Sequence, residues 1–368
     1  MTTRACAVLP DVRKIAVLRP NAVGDFVFAL PALHALRQAY PEAELVLLGR
    51  DWHAAFLANR PGPVDRVVVV PPLPGIGVPA VSSSADSSAN APGRGAQASF
   101  IAAMRAERFD IACQMYGGGR YANPLVAAFG ARLTVGARAE GAPPLDRWVR
   151  HVEPANRRLA LLEVAALAGA NTLALGPELL LTARDRREAA QALPVEAGAG
   201  RERLAVLQPG ASDPRRCWPA RSFALAGDAL ARLGMRVAVH GSAAEAPLVR
   251  AVIDAMTAPA IDLSGKLGLG GLCGLLARVD LLVSNDTGPL HLALALGRPC
   301  VGIFWLTNLI DGTPLRQGLL HAALSVRVDC PVCGMPNLER RCPHDASFVA
   351  DVAVERVVAL ATAALDAA

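Results

Sequence analysis

Asp286, Thr287, Gly288 and His291 supply a carboxylate, a hydroxyl, a bare backbone and an imidazole within one short stretch, SNDTGPLHLALALGRPCVGIF, residues 284–304. The apolar run before it, residues 280–283, reads as a buried strand. Residues 291–297 have helical spacing with a glycine stop, and residues 300–304 read as the next strand. The polar cluster therefore falls at the carboxyl end of a strand, where open α/β sheets bind ligands. Asp286 and Thr287 can cap the helix while its first N–H groups face outward, which suits a pyrophosphate. Gly288 permits close backbone approach, and His291 on the first turn can donate to a phosphate. A lone helical histidine is elsewhere most often structural.

Three other turns at strand ends carry similar chemistry. Gly24-Asp25 closes the turn NAVGD; its carboxylate reads either as a helix N-cap or as a general base. In QPGASDPRRCW, residues 208–218, a strand opens into Gly210 and Ser212, with Arg215 and Arg216 before a helix. Small hydroxylic residues, unpaired backbone N–H groups and arginine together make a phosphate cradle, a solvated loop being the plain alternative. HGSAAE, residues 240–245, places Glu245 near the end of the second strand of its half, where an acid can bind ribose hydroxyls or merely favour a helix start.

Of the eight cysteines, Cys330, Cys333 and Cys342 cluster with His344 in DCPVCGMPNLERRCPHD. Three thiols and an imidazole at this spacing form a candidate structural zinc site, with reduced, packed thiols as the alternative. Cys6, Cys113, Cys217, Cys273 and Cys300 are scattered, and several sit in apolar contexts where cysteine acts as a small core residue.

Strands alternate with helices around these turns. Residues 14–20, 43–49, 65–71, 109–115 and 132–136 read as strands, and a helix over residues 26–40 contains Pro31, which should bend it or mark its true first turn. That rhythm predicts a parallel sheet. The second half starts afresh with RLAVLQPGAS, so the fold class is α/β with two doubly wound units. The boundary is expected between residues 176 and 202: an N-terminal unit over 1–180, a second over 181–350, and a final helix within 351–368. Residues 72–99 interrupt the first unit with Pro, Gly, Ser and Ala and little to bury, which reads as a flexible insertion or a flap. No repeat of 20–50 residues is visible.

Composition narrows the class further. Hydrophobic residues are 53% of 368, enough for two cores. No apolar run reaches the ~18 residues of a membrane span, and the N-terminus carries proline and charge where a signal peptide has its apolar core. A cytoplasmic protein is expected. The formal charge of +5 suits anionic substrates or an anionic membrane face, a generally basic composition or simple solubility being the plain alternative. No compact basic or aromatic-interleaved patch points to nucleic acid. GLGGLCG, residues 268–274, falls late in its half and follows a turn, not the first strand that a dinucleotide fingerprint needs, and no GxxxxGK[ST] is present.

Two long segments carry a family resemblance: RPNAVGDFVFALPALHALRQAYPEAEL and LSGKLGLGGLCGLLARVDLLVSNDTGPLHLALALGRPCVGIF. In this order and spacing the chain resembles glycosyltransferase family 9, the ADP-heptose:lipopolysaccharide heptosyltransferases, over nearly its whole length except residues 72–99. The resemblance implies a GT-B fold of two Rossmann-like domains facing across a cleft, with the C-terminal helix returning to the first domain. It implies inverting sugar transfer from a nucleotide sugar, ADP-heptose, without a catalytic metal or other cofactor. The acceptor it implies is a lipopolysaccharide core or Kdo-lipid A, at the cytoplasmic face of the inner membrane of a Gram-negative bacterium.

By position, the resemblance makes Asp25 the catalytic base. Ser212, Asp286, Thr287, Gly288 and His291 become donor phosphate and sugar contacts, Glu245 the ribose acid, and Lys266-Leu267 the stretch beside the nucleobase. Arg216 stands where the family commonly has lysine. Arg120 matches a basic acceptor-side residue suited to an acidic sugar. Alternatives are a family member with another donor or glycan acceptor, a sugar-nucleotide epimerase, and a noncatalytic nucleotide-sugar-binding protein.

Overall fold

The computed structural model describes residues 6–78, 94–194, 203–336 and 341–367. The chain divides into two compact units, residues 1–175 and 176–368, at the near edge of the expected boundary region.

Unit 1 runs β1 (Lys14–Leu18), α1 (Val23–Ala39), β2 (Glu44–Gly49), α2 (Asp51–Leu57), β3 (Arg66–Val69), the short pair β4 (Leu73–Pro74) and β5 (Gly77–Val78), α3 (Arg94–Ala106), β6 (Ile111–Gln114), α4 (Ala122–Ala127), β7 (Leu133–Arg138), β8 (Arg147–Arg150) and α5 (Arg157–Leu167). Its main sheet has the order β3-β2-β1-β6-β7-β8, with every pairing parallel. The inner strands IAVL, LVLL and IACQ are buried along their length, as a parallel sheet covered on both faces requires.

Unit 2 contains α6 (Ala183–Ala192), β9 (Leu204–Gln208), α7 (Ala220–Arg232), β10 (Arg236–Val239), α8 (Ala246–Ala255), β11 (Ala260–Asp262), α9 (Leu269–Leu276), β12 (Leu281–Asn285), α10 (Gly288–Ala295), β13 (Cys300–Trp305), α11 (Leu306–Gly312), β14 (Leu320–Ser325) and α12 (Val354–Asp366). Its sheet order is β11-β10-β9-β12-β13-β14, again parallel throughout. The two units thus share one topology although the sequence shows no repeat. Each has its switch point beside its first strand, β1 against β6 and β9 against β12, where the carboxyl ends of two adjacent strands lead away in opposite directions.

Several expectations change. Helix α1 begins at Val23, so Gly24 and Asp25 lie in its first turn and not in a preceding loop. Pro31 is interior to this helix; unbroken burial from Phe26 to Leu33 offsets the backbone hydrogen bond that proline cannot make. Both ends of the 72–99 stretch are structured: Leu73 and Ile76 enter the unit 1 core with Phe100 from α3. The middle of that stretch, residues 79–93, lies outside the described residues, as does the linker segment 195–202. The C-terminal helix α12 contributes to unit 2: Val357, Ala361 and Ala364 enter the unit 2 core, against α7, β13 and β14. That is where its apolar stripe finds matching apolar surface. Among the described residues no helix is long and apolar enough to cross a membrane.

Candidate functional site

In unit 1 the chemistry gathers where β1 hands over to α1. The helix N-cap is Ala22, with no side-chain cap, so the capping alternative for Asp25 does not hold. Its carboxylate turns aside instead. Arg19, at the end of β1, donates from Nη2 to Asp25 Oδ1 at 3.2 Å and from Nε and Nη2 to the Asp25 carbonyl. Arg157, the first residue of α5, donates from Nη1 to the same Oδ1 at 3.2 Å. Arg19 is buried, and burial lowers its pKa to about 10, with Asp25 pulling the other way; it remains a cation at neutral pH. Asp25 is thus held and oriented by two guanidinium groups.

The turn that carries it is braced from the start of α2. Arg50 Nε donates to the Pro20 carbonyl at 2.6 Å and Trp52 Nε1 to Asn21 O at 3.3 Å. Arg19 Nη1 donates to Met115 O, tying β1 to the loop after β6. That loop is the glycine turn containing Arg120, which stands exposed at the same carboxyl edge of the sheet.

In unit 2 the turn after β9 and the start of α10 after β12 come together. Arg216 Nη2 donates to Ser212 Oγ at 3.0 Å, and its Nη1 reaches the Asp286 carbonyl at 3.2 Å and Oδ2 at 3.3 Å. Arg215 does not join the cradle: it folds onto Asp213, with Nη2 2.6 Å from Oδ2, and lies over the Trp305 ring. Asp286 proves to be an organising group. Besides Arg216 it meets His291 Nε2 at 2.9 Å on Oδ1 and accepts from Asn308 Nδ2 at 2.8 Å on Oδ2. Burial opposes its charge, but the His291 hydrogen bond, the charges of His291 and Arg216 and the Asn308 hydrogen bond outweigh it and hold the carboxyl below its usual range.

This geometry revises two expectations. Thr287 is the α10 N-cap through its backbone alone, with no side-chain cap, and Asp286 is turned to its lateral partners. His291 is buried with Nε2 facing Asp286, so that nitrogen positions the carboxylate and is not presented to a phosphate. Gly288 is the first residue of α10.

Glu245 sits on the next turn outward. Its Oε2 accepts from Ser242 N at 2.7 Å in a capping box, so the helix-start reading is correct for one oxygen. The other oxygen faces Gly210 so closely that a Cβ there would lie 1.9 Å from it. Lys266 and Leu267 follow β11; the Gly265 N–H donates to Gly241 O at 2.9 Å, which sets this loop against the Glu245 turn. Beneath both, His240 Nδ1 is 2.6 Å from Gln208 Oε1, and burial lowers the histidine pKa to about 4.

Arg19, Arg157, Asn285, Asn308 and His240 were not among the residues read from sequence. Asn285 accepts from Trp218 N at 3.0 Å and donates to Pro209 O at 2.7 Å, pinning both ends of the Ser212–Arg216 turn to β12. A polar residue ending an otherwise apolar strand, as in VLR and VSN, is the signal that can find Arg19 and Asn285. Arg157 and Asn308 are brought in by tertiary structure and leave no local trace.

The model of Glycosyltransferase family 9 (heptosyltransferase) matches residues 97–331, which takes in the unit 2 cluster and begins after Asp25. Lipooligosaccharide heptosyltransferase 2 of Haemophilus influenzae is 30% identical over 105 residues, 27% of this chain and 30% of its own length. The chain therefore spans less than a third of that curated relative. Two solved structures are similar in fold: the glycosyl transferase family 9 protein of Veillonella parvula, with TM-score 0.77 and 20% identity over 99% of this chain and 100% of its own, and E. coli ADP-heptose lps heptosyltransferase II, with TM-score 0.70 and 20% identity over 96% and 98%. With its paired Rossmann-like units, GT-B in type, and a family match across more than half its length, this chain belongs to glycosyltransferase family 9.

Proposed function

We propose that the protein is an inverting glycosyltransferase that moves a heptose from ADP-heptose to a lipopolysaccharide inner-core acceptor. The observation that carries this reading is the Ser212–Arg216–Asp286 cluster at the start of α10, beside the β9/β12 switch point. Arginine fixed by its neighbours and a helix start with no side-chain cap form a ready site for a diphosphate. The heptose and ADP follow the names of the relatives.

In this reading the donor diphosphate meets Arg216, Ser212, Thr287 and the Gly288 backbone N–H. Asp286 and His291 hold Arg216 in place. Glu245 takes the ribose hydroxyls and the Lys266–Leu267 loop lies along the base. The acceptor hydroxyl oxygen attacks the anomeric carbon as the carbon–oxygen bond to the diphosphate breaks. Asp25 takes the hydroxyl proton, and ADP leaves with its new charge met by Arg216 and the α10 dipole. Arg120 meets an acidic acceptor sugar. The acceptor is a membrane lipid, so the protein works as a peripheral protein at the cytoplasmic face of the inner membrane.

The test is a donor screen with ADP-, UDP- and GDP-sugars and a heptose-deficient lipopolysaccharide acceptor, with Asp25→Ala as control. Transfer from ADP-heptose that the variant loses supports the reading. Transfer only from another nucleotide sugar keeps the mechanism and overturns the heptose. Donor binding without turnover, in wild type as in variant, overturns the enzyme in favour of a nucleotide-sugar-binding protein.

A further inference from the structure

One cluster with strong ligand chemistry lies outside everything used above. Cys330, Cys333, Cys342 and His344 bring three sulfurs and an imidazole nitrogen within 4.8 Å of one another. We propose that these four side chains hold a single zinc ion in a closed, structural site on the segment between β14 and α12.

The geometry is close to that of a loaded site. A tetrahedron with zinc–sulfur bonds near 2.3 Å and zinc–nitrogen near 2.0 Å has edges of roughly 3.6 Å. Cys330 Sγ and His344 Nδ1 are already 3.7 Å apart, and the remaining contraction is about an ångström or less. The backbone is shaped for thiolate ligands. In the Cys330-Pro331-Val332-Cys333-Gly334 turn, the Val332 N–H points at Cys330 Sγ at 3.4 Å. Gly334 N donates to Cys330 O at 2.9 Å, with Gly334 in the left-handed region at φ +70°. Amide donors of this kind stabilise metal-bound sulfur and fix its direction.

Packed thiols explain the set less well. Cys330 and Cys342 are buried, but Cys333 is exposed and His344 partly so, and core packing gives an exposed thiol and an imidazole no reason to converge with them. Disulfide pairing would use two of the three sulfurs and strand the third. Four protein ligands also complete a tetrahedral shell, so the ion would hold structure and not bind substrate.

What it would hold is visible. Cys330 and Cys342 belong to the same core as Phe348, Val349 and Val352. Phe348 N donates to Arg215 O at 2.8 Å and its ring stacks on Trp305 at 4.5 Å, while Trp218 Nε1 donates to Val352 O at 2.8 Å. The zinc-stapled segment thereby buttresses the turn from which Arg216 projects.

The experiment is metal analysis of the full chain purified without a polyhistidine tag, with a native thiol titration before and after a chelator. One zinc per chain is expected, with three of the eight cysteines protected until the chelator is added. Replacement by cobalt should give the intense visible bands of a tetrahedral thiolate site. Cys333→Ser and His344→Ala, at the more exposed ligand positions, should each cut bound zinc several-fold, whereas Cys6→Ser should retain it. If neither ligand variant folds, the wild-type stoichiometry and thiol protection still decide. Metal-free protein whose cluster thiols react without chelator, or a disulfide among them, overturns the proposal; iron at one per chain overturns the zinc assignment. Because the readout is metal and thiol content, it fails independently of the donor reading.

Discussion

At the scale of single residues, the two clusters are built from carboxylates held by arginine, and the partners decide what each carboxylate can do. Asp25 lies between Arg19 and Arg157, which keeps its oxygen aimed. Asp25→Asn should lower kcat by about 10²–10⁴-fold while leaving donor affinity, measured by calorimetry, nearly unchanged. Asp25→Ala should in addition destabilise unit 1 by about 2 kcal/mol, because it strands the buried Arg19 charge; chemical denaturation of both variants separates the two effects. Arg216 bridges Ser212 and Asp286 with separate guanidinium nitrogens. A lysine cannot span both with the same planar fork, so Arg216→Lys should weaken ADP binding about tenfold despite the retained charge. Equal affinity in that variant would mean that charge alone suffices there.

Among the elements, the turns matter more than the strands they follow. Gly210 is where the turn after β9 passes Glu245, and its side is closed by that carboxylate. Gly210→Ala should push Glu245 out of place and raise the donor KM several-fold, with only a small change in melting temperature. A large loss of stability with unchanged KM would place the glycine's role in folding alone. The same turns explain how much of the protein could be read beforehand. The inner strands announce themselves because each is an unbroken apolar run ending in a polar turn, and Asp25, Ser212, Arg216 and Asp286 stand at those ends. Strand β8, RWVR, alternates charged and apolar residues and is only half buried, and β14 carries a histidine and several half-buried positions, so neither stands out from a loop. The start of α1 was hidden by the same glycine and aspartate that marked the site. Side-chain pairings across long separations, such as Arg157 with Asp25, depend on the finished sheet and have no signature in local spacing.

For the whole molecule, acid should act on both units through buried neutral histidines. His53, stacked on Trp52 at 3.6 Å, accepts the Arg50 N–H on Nδ1, and burial lowers its pKa to about 3. His240 is held near 4 by the same cause. Unfolded, each takes a proton below its ordinary value near 6.5 while the folded form does not, so stability present above that pH is lost as pH falls toward about 4 for His240 and about 3 for His53. The His240 contribution amounts to about 3 kcal/mol over that range. Urea midpoints between pH 7 and 4 should fall for the wild type and fall less for His240→Gln; identical slopes would assign the acid sensitivity to other groups. The all-parallel order of both sheets carries a different consequence, for synthesis. In each unit the first strand to leave the ribosome is a central one: residues 14–18 must wait for residues 111–114, and residues 204–208 for residues 281–285, before their second edge is paired. No hairpin can shield them meanwhile, since parallel neighbours need a crossover. Each nascent unit therefore exposes an apolar strand edge through a long stretch of its own translation, so folding is expected to be slow and to lean on chaperones.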